Sequence, residues 1–221
     1  MRNLIKICIR VILFPIALII YTLSPISFML SIIRMYIYSM VVAFKISNFP
    51  FSLKCYPRIK VVIRGGVINI GKNSVIDKST TLYCVNRTSK KPCLRIGADA
   101  NIGELNHITC VNSICIGNGF LSGKMVTITD NSHGGGTYEE LDVAPYDRAI
   151  YSKNGVVIGN NVWLGDKVTV LPGVKIGDNV IVGANSVVSK DIPDGVIAAG
   201  VPAKVIKKIK NEKSNSPAFI L

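Results

Sequence analysis

The sequence predicts a mainly β fold, a parallel β-solenoid with three short strands per coil, and three observations carry that prediction. Apolar residues recur at every sixth position: Ile158, Leu164, Val170, Ile176, Val182 and Val188. A second register of Val162, Val168, Val174 and Val180 runs at the same interval. Glycines Gly159, Gly165, Gly177 and Gly183 follow the first register, where tight corners favour a residue without a Cβ. A helix repeats at about 3.6 and a half-buried strand at about 2, so a sixfold period needs a corner in every repeat.

The elements follow in chain order. From Val11 to Ile33 no residue carries a formal charge, and Lys6, Arg10 and Arg34 flank the run. It is long enough for a bilayer-crossing helix of about 20 residues. Pro15 and Pro25 argue against one straight span, and apolar character continues from Tyr36 to Phe44. The expectation is an apolar helical segment over residues 1–48, associated with a membrane or capping the end of the solenoid. A secretory signal fits worse, because the run outlasts the usual apolar core and no small-x-small cleavage site follows. Residues 49–66 read as a basic connector, with Lys54, Arg58, Lys60 and Arg64 interleaved with Phe49, Phe51 and Tyr56. Such a segment suits an anionic lipid surface or a solvated linker.

Residues 67–203 form the solenoid domain. Weaker hexads appear at Ile70-Gly71, Ile96-Gly97 and Ile102-Gly103, continue through Ile108 and Ile114, then shift by two at Ile116-Gly117. Repeat scaffolds tolerate such shifts where a loop leaves a corner. Two loops are expected, a short basic one over 86–92 and a long one over 130–155; long loops on a rigid scaffold tend to carry function. Pro193 and Pro202 end the repeat, and residues 204–221 are expected to form a short basic C-terminal helix and a tail.

Charge and composition narrow the chemistry. Lys and Arg number 26 against 13 Asp and Glu, a formal net charge of +13. Anionic partners follow: phosphates, acidic sugars or membrane surfaces, with no nucleic-acid partner expected. The cysteines Cys8, Cys55, Cys84, Cys93, Cys110 and Cys115 make no C-x-x-C pair, which fits reduced, partly buried thiols of a cytosolic protein. His107 and His133 are the only histidines. A three-histidine zinc site cannot be built within one chain from two, so no metal is expected.

Several segments resemble the hexapeptide-repeat acyltransferases, in particular the galactoside, maltose and polysaccharide O-acetyltransferase branch. They are Ile128-Thr-Asp-Asn-Ser-His133, Val157-Ile-Gly-Asn-Asn-Val-Trp163-Leu-Gly, the run from Leu171 to Val188, and Ala199-Gly-Val-Pro-Ala-Lys-Val-Ile. The resemblance implies a left-handed parallel β-helix, a handedness that spacing alone does not give. It also implies acetyl-CoA as co-substrate and a homotrimer whose sites lie between neighbouring subunits.

His133 stands where the repeat breaks into its long loop, just before Gly134-Gly-Gly136. A lone histidine is more often structural, but an imidazole at that position can serve as a general base near neutrality. In the resembled family the matching histidine deprotonates the acceptor hydroxyl, which attacks the thioester directly. The resemblance sets the oxyanion donor at a backbone amide near Gly165 or Asp166, and Trp163 beside the thioester arm or the acceptor, or at a subunit contact. Asp130, Glu139, Glu140 or a backbone carbonyl are the candidates to orient the imidazole. For CoA it implies the Gly183-Ala184 corner, Ser189, and the cations Lys204 and Lys207, which meet phosphate as point charges without an arginine fork. His107 is read as a repeat residue on the surface or at an acceptor groove.

The resulting expectation is an acetyl-CoA-dependent O-acetyltransferase for a bacterial surface saccharide, lipid-linked or acidic, working in the cytoplasm at the inner face of the membrane. A soluble sugar, nucleotide-sugar or xenobiotic acceptor is the alternative within enzymes, and a non-catalytic β-helix scaffold the alternative outside them.

Overall fold

The computed structural model describes residues 26–48, 52–89 and 91–209. Each hexad contributes one short strand and one corner, and the strands stack into three faces of a prism. Face I runs from Lys54–Cys55 through Val75–Ile76, Asn101–Ile102, Leu121–Ser122, Trp163–Leu164 and Ile181–Val182 to Val196–Gly200 and Ala203–Lys208. Face II stacks Lys60–Arg64, Thr81–Val85, His107–Cys110, Thr127–Thr129, Thr169–Val170 and Val187–Val188. Face III stacks Val67–Ile70, Cys93–Ile96, Ser113–Ile116, Val156–Ile158 and Lys175–Ile176.

Neighbouring coils pair in parallel and in register, so like residues fall under like residues: Leu164 over Val182 over Ala198 on face I, Ile128 over Val170 over Val188 on face II. Both apolar registers read from the sequence point inward. Leu164, Val168, Val170, Val180, Val182 and Val188 are fully buried, each worth about 1.5–3 kcal/mol relative to exposure. Polar interruptions of the inner register are satisfied. Buried Asn106 donates to Ser122 Oγ at 2.7 Å and accepts the Val126 amide, tying adjacent coils together where a valine would only fill space.

The solenoid starts earlier than the hexads suggest. Residues 54–55 and 60–64 lie inside the span expected as a connector, yet they are strands of the first coil, paired with Val75–Ile76 and Thr81–Val85. Here a run of β-branched residues, Val61-Val62-Ile63, and not a glycine-marked hexad, makes the longer strand. Above this coil lies one helix, α1, over Ile26–Lys45. Met35, Ser39, Val42, Ala43 and, just past its end, Ile46 are buried on one stripe, and Val42 and Ile46 join the core cluster of the first coil. Ser39 Oγ accepts the Cys55 amide at 2.8 Å, and the Asn48 side chain both donates to Ile70 O and accepts Ile70 N. Capping is therefore observed, and it pairs the open edge that a stacked sheet would otherwise present. The first half of the expected helical segment, residues 1–25, lies outside the described residues.

The short C-terminal helix is not formed over the residues described. Val201 and Pro202 reverse the chain, and Ala203–Lys208 returns as a strand antiparallel to Val196–Gly200. The preceding strand leaves unpaired backbone groups at the edge of face I, and β-branched Val205 and Ile206 favour filling that edge over making an isolated basic helix. The rest of the expected tail lies outside the described residues.

Candidate active site

Each long loop leaves at a corner, and which corner decides the geometry. The chain departs face II after Thr127–Thr129 and rejoins face III at Val156–Ile158, so the loop 130–155 is extruded from the II/III edge. At its root Asp130 is fully buried. Its carboxylate accepts Val111 N at 2.9 Å, Asn112 N at 2.8 Å and Asn131 Nδ2 at 3.0 Å. The carboxylate thereby holds down the preceding coil. The suggestion that Asp130 orients the His133 imidazole is corrected: its oxygens are engaged by the loop base.

His133 itself is exposed and sits on the two-residue strand Ser132–His133, antiparallel to Ile150–Tyr151. The following turn is held by Glu140, whose carboxylate accepts Gly135 N at 2.9 Å, Gly136 N at 2.8 Å and Thr137 N at 3.2 Å. These bonds, the one from Gly135 foremost, hold the Glu140 carboxyl below the usual carboxylate range. Gly134 has φ of +88°, and a Cβ there would lie 2.7 Å from Glu140 Oε2 and 3.1 Å from Arg148 Cδ, so the position needs glycine. Of the candidate orienters, then, Glu140 fixes the backbone beside the imidazole. This clamp was missed as such from sequence, although the Thr137-x-x-Glu140 spacing is a known turn-closing signature.

The I/II edge gathers a different set. Trp163 is 40% exposed on face I, in register with Leu121 and Ile181. Gly165 follows it, stacked on the next coil so closely that a Cβ would lie 2.7 Å from Ala184 N. Gly165 N donates to Val182 O at 2.8 Å, which removes that amide as an oxyanion donor and corrects one of the two positions expected. Gly183, Lys167 and Asn185 amides are likewise engaged coil to coil. The amides of Asp166 and Ala184, on adjacent coils, have no such bond among the described residues, and both residues are exposed. The Asp166 carboxylate accepts Lys124 N at 2.8 Å and so serves the corner. The Ala184 amide as a donor was not foreseen; backbone groups leave no side-chain signal.

Lys204 joins this edge. It is the register partner of Ala199, whose Cβ lies 3.1 Å from where a Gly183 Cβ would stand, and Lys207 pairs with Ile197 two rungs further along the exposed last strand, past a bulge. Ser189 does not join it: it follows Val187–Val188 of face II and lies exposed on the II/III edge, below the root of the His133 loop. Thus one protomer carries His133, Asp130 and Ser189 on one edge, and Trp163, Asp166, Gly183, Ala184 and Lys204 on another. Face II separates them by one hexad, up to roughly 20 Å at about 3.3 Å per residue. His107 stands on that face, exposed, with Nε2 2.6 Å from Thr109 Oγ1.

Among the described residues no group of three or more His, Cys, Asp or Glu could hold a metal ion. The thiols of Cys55, Cys84 and Cys110 are buried out of reach of a substrate, and although the hydrogen bond with Cys110 lowers Cys84, the other two are raised. Burial pushes Cys55 up to about 12, and a hydrogen bond with Cys84, then burial, pushes Cys110 upward. The exposed His133 imidazole is a group able to accept a proton, and the unbonded Asp166 and Ala184 amides are groups able to donate to an oxyanion.

The family model described as bacterial transferase hexapeptide (six repeats) matches residues 155–190. The chain is 37% identical over 171 residues to a putative lipopolysaccharide biosynthesis O-acetyl transferase, WbbJ, of Escherichia coli K12, covering 76% of this chain and 81% of that one. It is 57% identical over 56 residues to the galactoside O-acetyltransferase of the same strain, covering 25% and 28% of the two chains. Among solved structures, an N-acyltransferase from Bacillus cereus in complex with dTDP and coenzyme A superposes with a TM-score of 0.58 at 23% identity over 72% of this chain and 82% of that one. The polySia-specific acetyltransferase NeuO superposes with a TM-score of 0.55 at 24% identity, covering 76% and 68%. These likenesses make the prism a left-handed β-helix, as expected.

Proposed function

From the premise that this chain belongs to the hexapeptide-repeat O-acetyltransferase family, we propose that it moves an acetyl group from acetyl-CoA to a hydroxyl of a bacterial surface saccharide, a capsule or O-antigen unit. The observation that carries the reading is an exposed imidazole, His133, fixed on a hairpin that Asp130 and Glu140 hold from both ends. The lipopolysaccharide-directed relative supports the acceptor class.

The acceptor hydroxyl gives its proton to the imidazole as its oxygen bonds to the thioester carbonyl carbon. The carbonyl oxygen, now negative, takes hydrogen bonds from the unbonded Asp166 and Ala184 amides. Collapse breaks the C–S bond, and the departing CoA thiolate recovers the proton from the imidazolium. The base accounts for about 10²–10⁴-fold and preorganised donors for a comparable factor. Trp163 walls the thioester arm, the Gly183–Ala184 corner seats the pantetheine chain, and exposed Lys204 and Lys207 face the nucleotide phosphates. Because His133 and these groups stand on opposite edges of face II, the site closes between neighbouring copies of a trimer, with Ser189 joining from the histidine side. Acetyl-CoA is cytosolic, so on this reading the enzyme works in the cytoplasm, and a lipid-linked acceptor would bring it to the inner face of the membrane.

The test is CoA release by the purified chain against a panel of acidic and neutral oligosaccharides. Acceptor-dependent release that falls about 10²-fold or more in His133→Ala, with unchanged folding, is the expected result. Full activity in that variant removes the general-base role. Release with free sugars or sugar nucleotides alone moves the acceptor to the soluble class, and no release with any acceptor favours the scaffold reading.

A further inference from the structure

The helix that caps the solenoid is apolar on the wrong side for a soluble protein. Its inner stripe, Met35, Ser39 and Val42, is buried, with Val42 in the core cluster of the first coil and Ser39 bonded to Cys55. The opposite stripe holds Ile26, Leu30, Ile33, Ile37, Met40 and Val41, each 47–57% exposed. These positions repeat at helical spacing over about 24 Å. A helix packed on one face and facing water on the other carries polar residues outside. Here the polar residues Ser27, Ser31, Arg34 and Lys45 occupy one flank only, and residues 26–34 are exposed on every side. An apolar band of this length is well beyond scattered surface residues.

Charge tells what covers it. Asp77 is the first acidic residue in the chain, so every charged residue of α1 and the first coil is a cation. Arg34, Lys45, Lys54, Arg58, Lys60 and Arg64 are all exposed around that end of the prism. A second copy meeting this end head to head would bring two such cationic rims together. An anionic bilayer accepts both the apolar stripe and the rim, with the helix in the headgroup plane.

We infer that the outer stripe of α1 and the cationic first coil form one surface that docks on an anionic phospholipid bilayer, standing the β-helix upright on its N-terminal end. Coil number then becomes height. The His133 loop leaves from the fourth strand of face II, three strand spacings or about 14 Å above the first. Trp163 lies on the fifth strand of face I, about 19 Å above its first. If the proposed acetyl transfer is also right, the acceptor is a lipid-tethered saccharide modified on a hydroxyl about 15 Å clear of the headgroups, with the CoA lysines further out.

The experiment is flotation of the full chain with phosphatidylcholine vesicles, with and without phosphatidylglycerol, at low and high salt. It needs no activity, so its failure is separate from failure of the enzymatic reading. Co-flotation that requires phosphatidylglycerol, weakens with salt, and falls at least tenfold in Leu30→Glu/Ile37→Glu supports the docking surface. Circular dichroism melting of that variant must match wild type, since neither side chain is buried, and His133→Ala must float as wild type does. Trp163 is the sole tryptophan, so energy transfer to dansyl headgroups reports the height. Transfer matching a single separation near 19 Å beyond the first coil supports the upright posture, and contact-range transfer overturns it. Flotation indifferent to the stripe variant overturns the role of α1. No flotation, with either a doubled assembly mass that the stripe variant halves or a stripe shielded by residues 1–25, gives the surface to another occupant and overturns the proposal.

Discussion

Asp130→Ala removes the anchor of the loop that carries His133 without touching the imidazole. The Val111 and Asn112 amides would lose their acceptors, one of them buried and the other part-buried. A buried donor left unsatisfied costs about 1–3 kcal/mol, so the pair comes to about 2–4 kcal/mol with the part-buried amide at the low end. For a chain of this size that lowers the melting midpoint by roughly 5–15 °C at fixed protein concentration. Asp130→Asn keeps one acceptor oxygen and turns a donor toward the second amide, which should cost about half as much. His133 is three residues downstream, and misplacing a catalytic group by about 1 Å can cost about 10²-fold. The expected kinetic signature is a loss in kcat with KM for acetyl-CoA held, because Gly183, Ala184 and Lys204 are on the other edge. The assays are thermal melting, hydrogen exchange at residues 111–112 and steady-state kinetics. An alanine variant that melts within about 2 °C of wild type with unchanged kcat would refute the assignment of Asp130 as the loop anchor.

Three further outcomes follow from the same geometry. Glu140 has its folded pKa depressed by the Gly135 amide first of all. Its contribution is therefore complete above the ordinary carboxylate pKa of about 4.3 and lost as pH falls through the folded value. Protection of the 135–137 amides against hydrogen exchange, taken relative to the intrinsic rate at each pH, should fall on acidification into that range, and at neutral pH in Glu140→Gln. Gly165→Ala would press a methyl to 2.7 Å from Ala184 N and 3.0 Å from Ala184 Cα, both backbone. A destabilisation of about 1–3 kcal/mol is expected in thermal melting, with reduced kcat, since Asp166 and Ala184 would move apart. Cys55, raised to about 12 by burial, should resist iodoacetamide at pH 8 in the folded protein and react in denaturant.

How far the sequence could be read depended on whether a residue's job repeats. Leu164, Val170 and Val182 recur because every coil asks the same of that position, so the three faces and the inward registers were legible from spacing alone. Lys60–Arg64 was missed as a strand because the first coil has a helix above it and no coil to match, so its pattern is set by Val42 and Ile46 as much as by period. Ala203–Lys208 was misread because an edge strand is chosen by the unpaired edge it covers, which is absent from local sequence. His133 was singled out because a singular residue interrupts a periodic pattern, and the structure sets it exposed on the loop hairpin. Asp130 was singled out for the wrong role. A buried carboxylate near a histidine suggests an orienter, whereas its actual partners, Val111 and Asn112, lie one coil away and 18 or 19 residues back. The Asp166 and Ala184 amides carry no residue-type signal at all.

The division of the site between two edges makes a stronger demand than any single substitution. If one protomer held a complete site, His133 would have to reach across face II, yet Asp130 and the hairpin to Ile150–Tyr151 fix it to the II/III edge. Three prisms closed around a threefold axis with face II inward would bring the II/III edge of each against the I/II edge of the next. Ala184→Pro offers a way to delete one amide. Asn185 has φ of +58°, which makes Ala184 the first central residue of a corner whose second is left-handed, the position where proline is favoured. The substitution should therefore keep the fold and lose only an N–H that makes no coil-to-coil bond. Alone, Ala184→Pro and His133→Ala should each be strongly impaired. Co-refolded in equal amounts, random trimers would join an intact histidine edge to an intact amide edge in about one site of four. Recovery toward a quarter of wild-type turnover on mixing is the expected result. No recovery, from variants shown by mass to have exchanged subunits, would mean that each prism works alone and that face II does not face the axis.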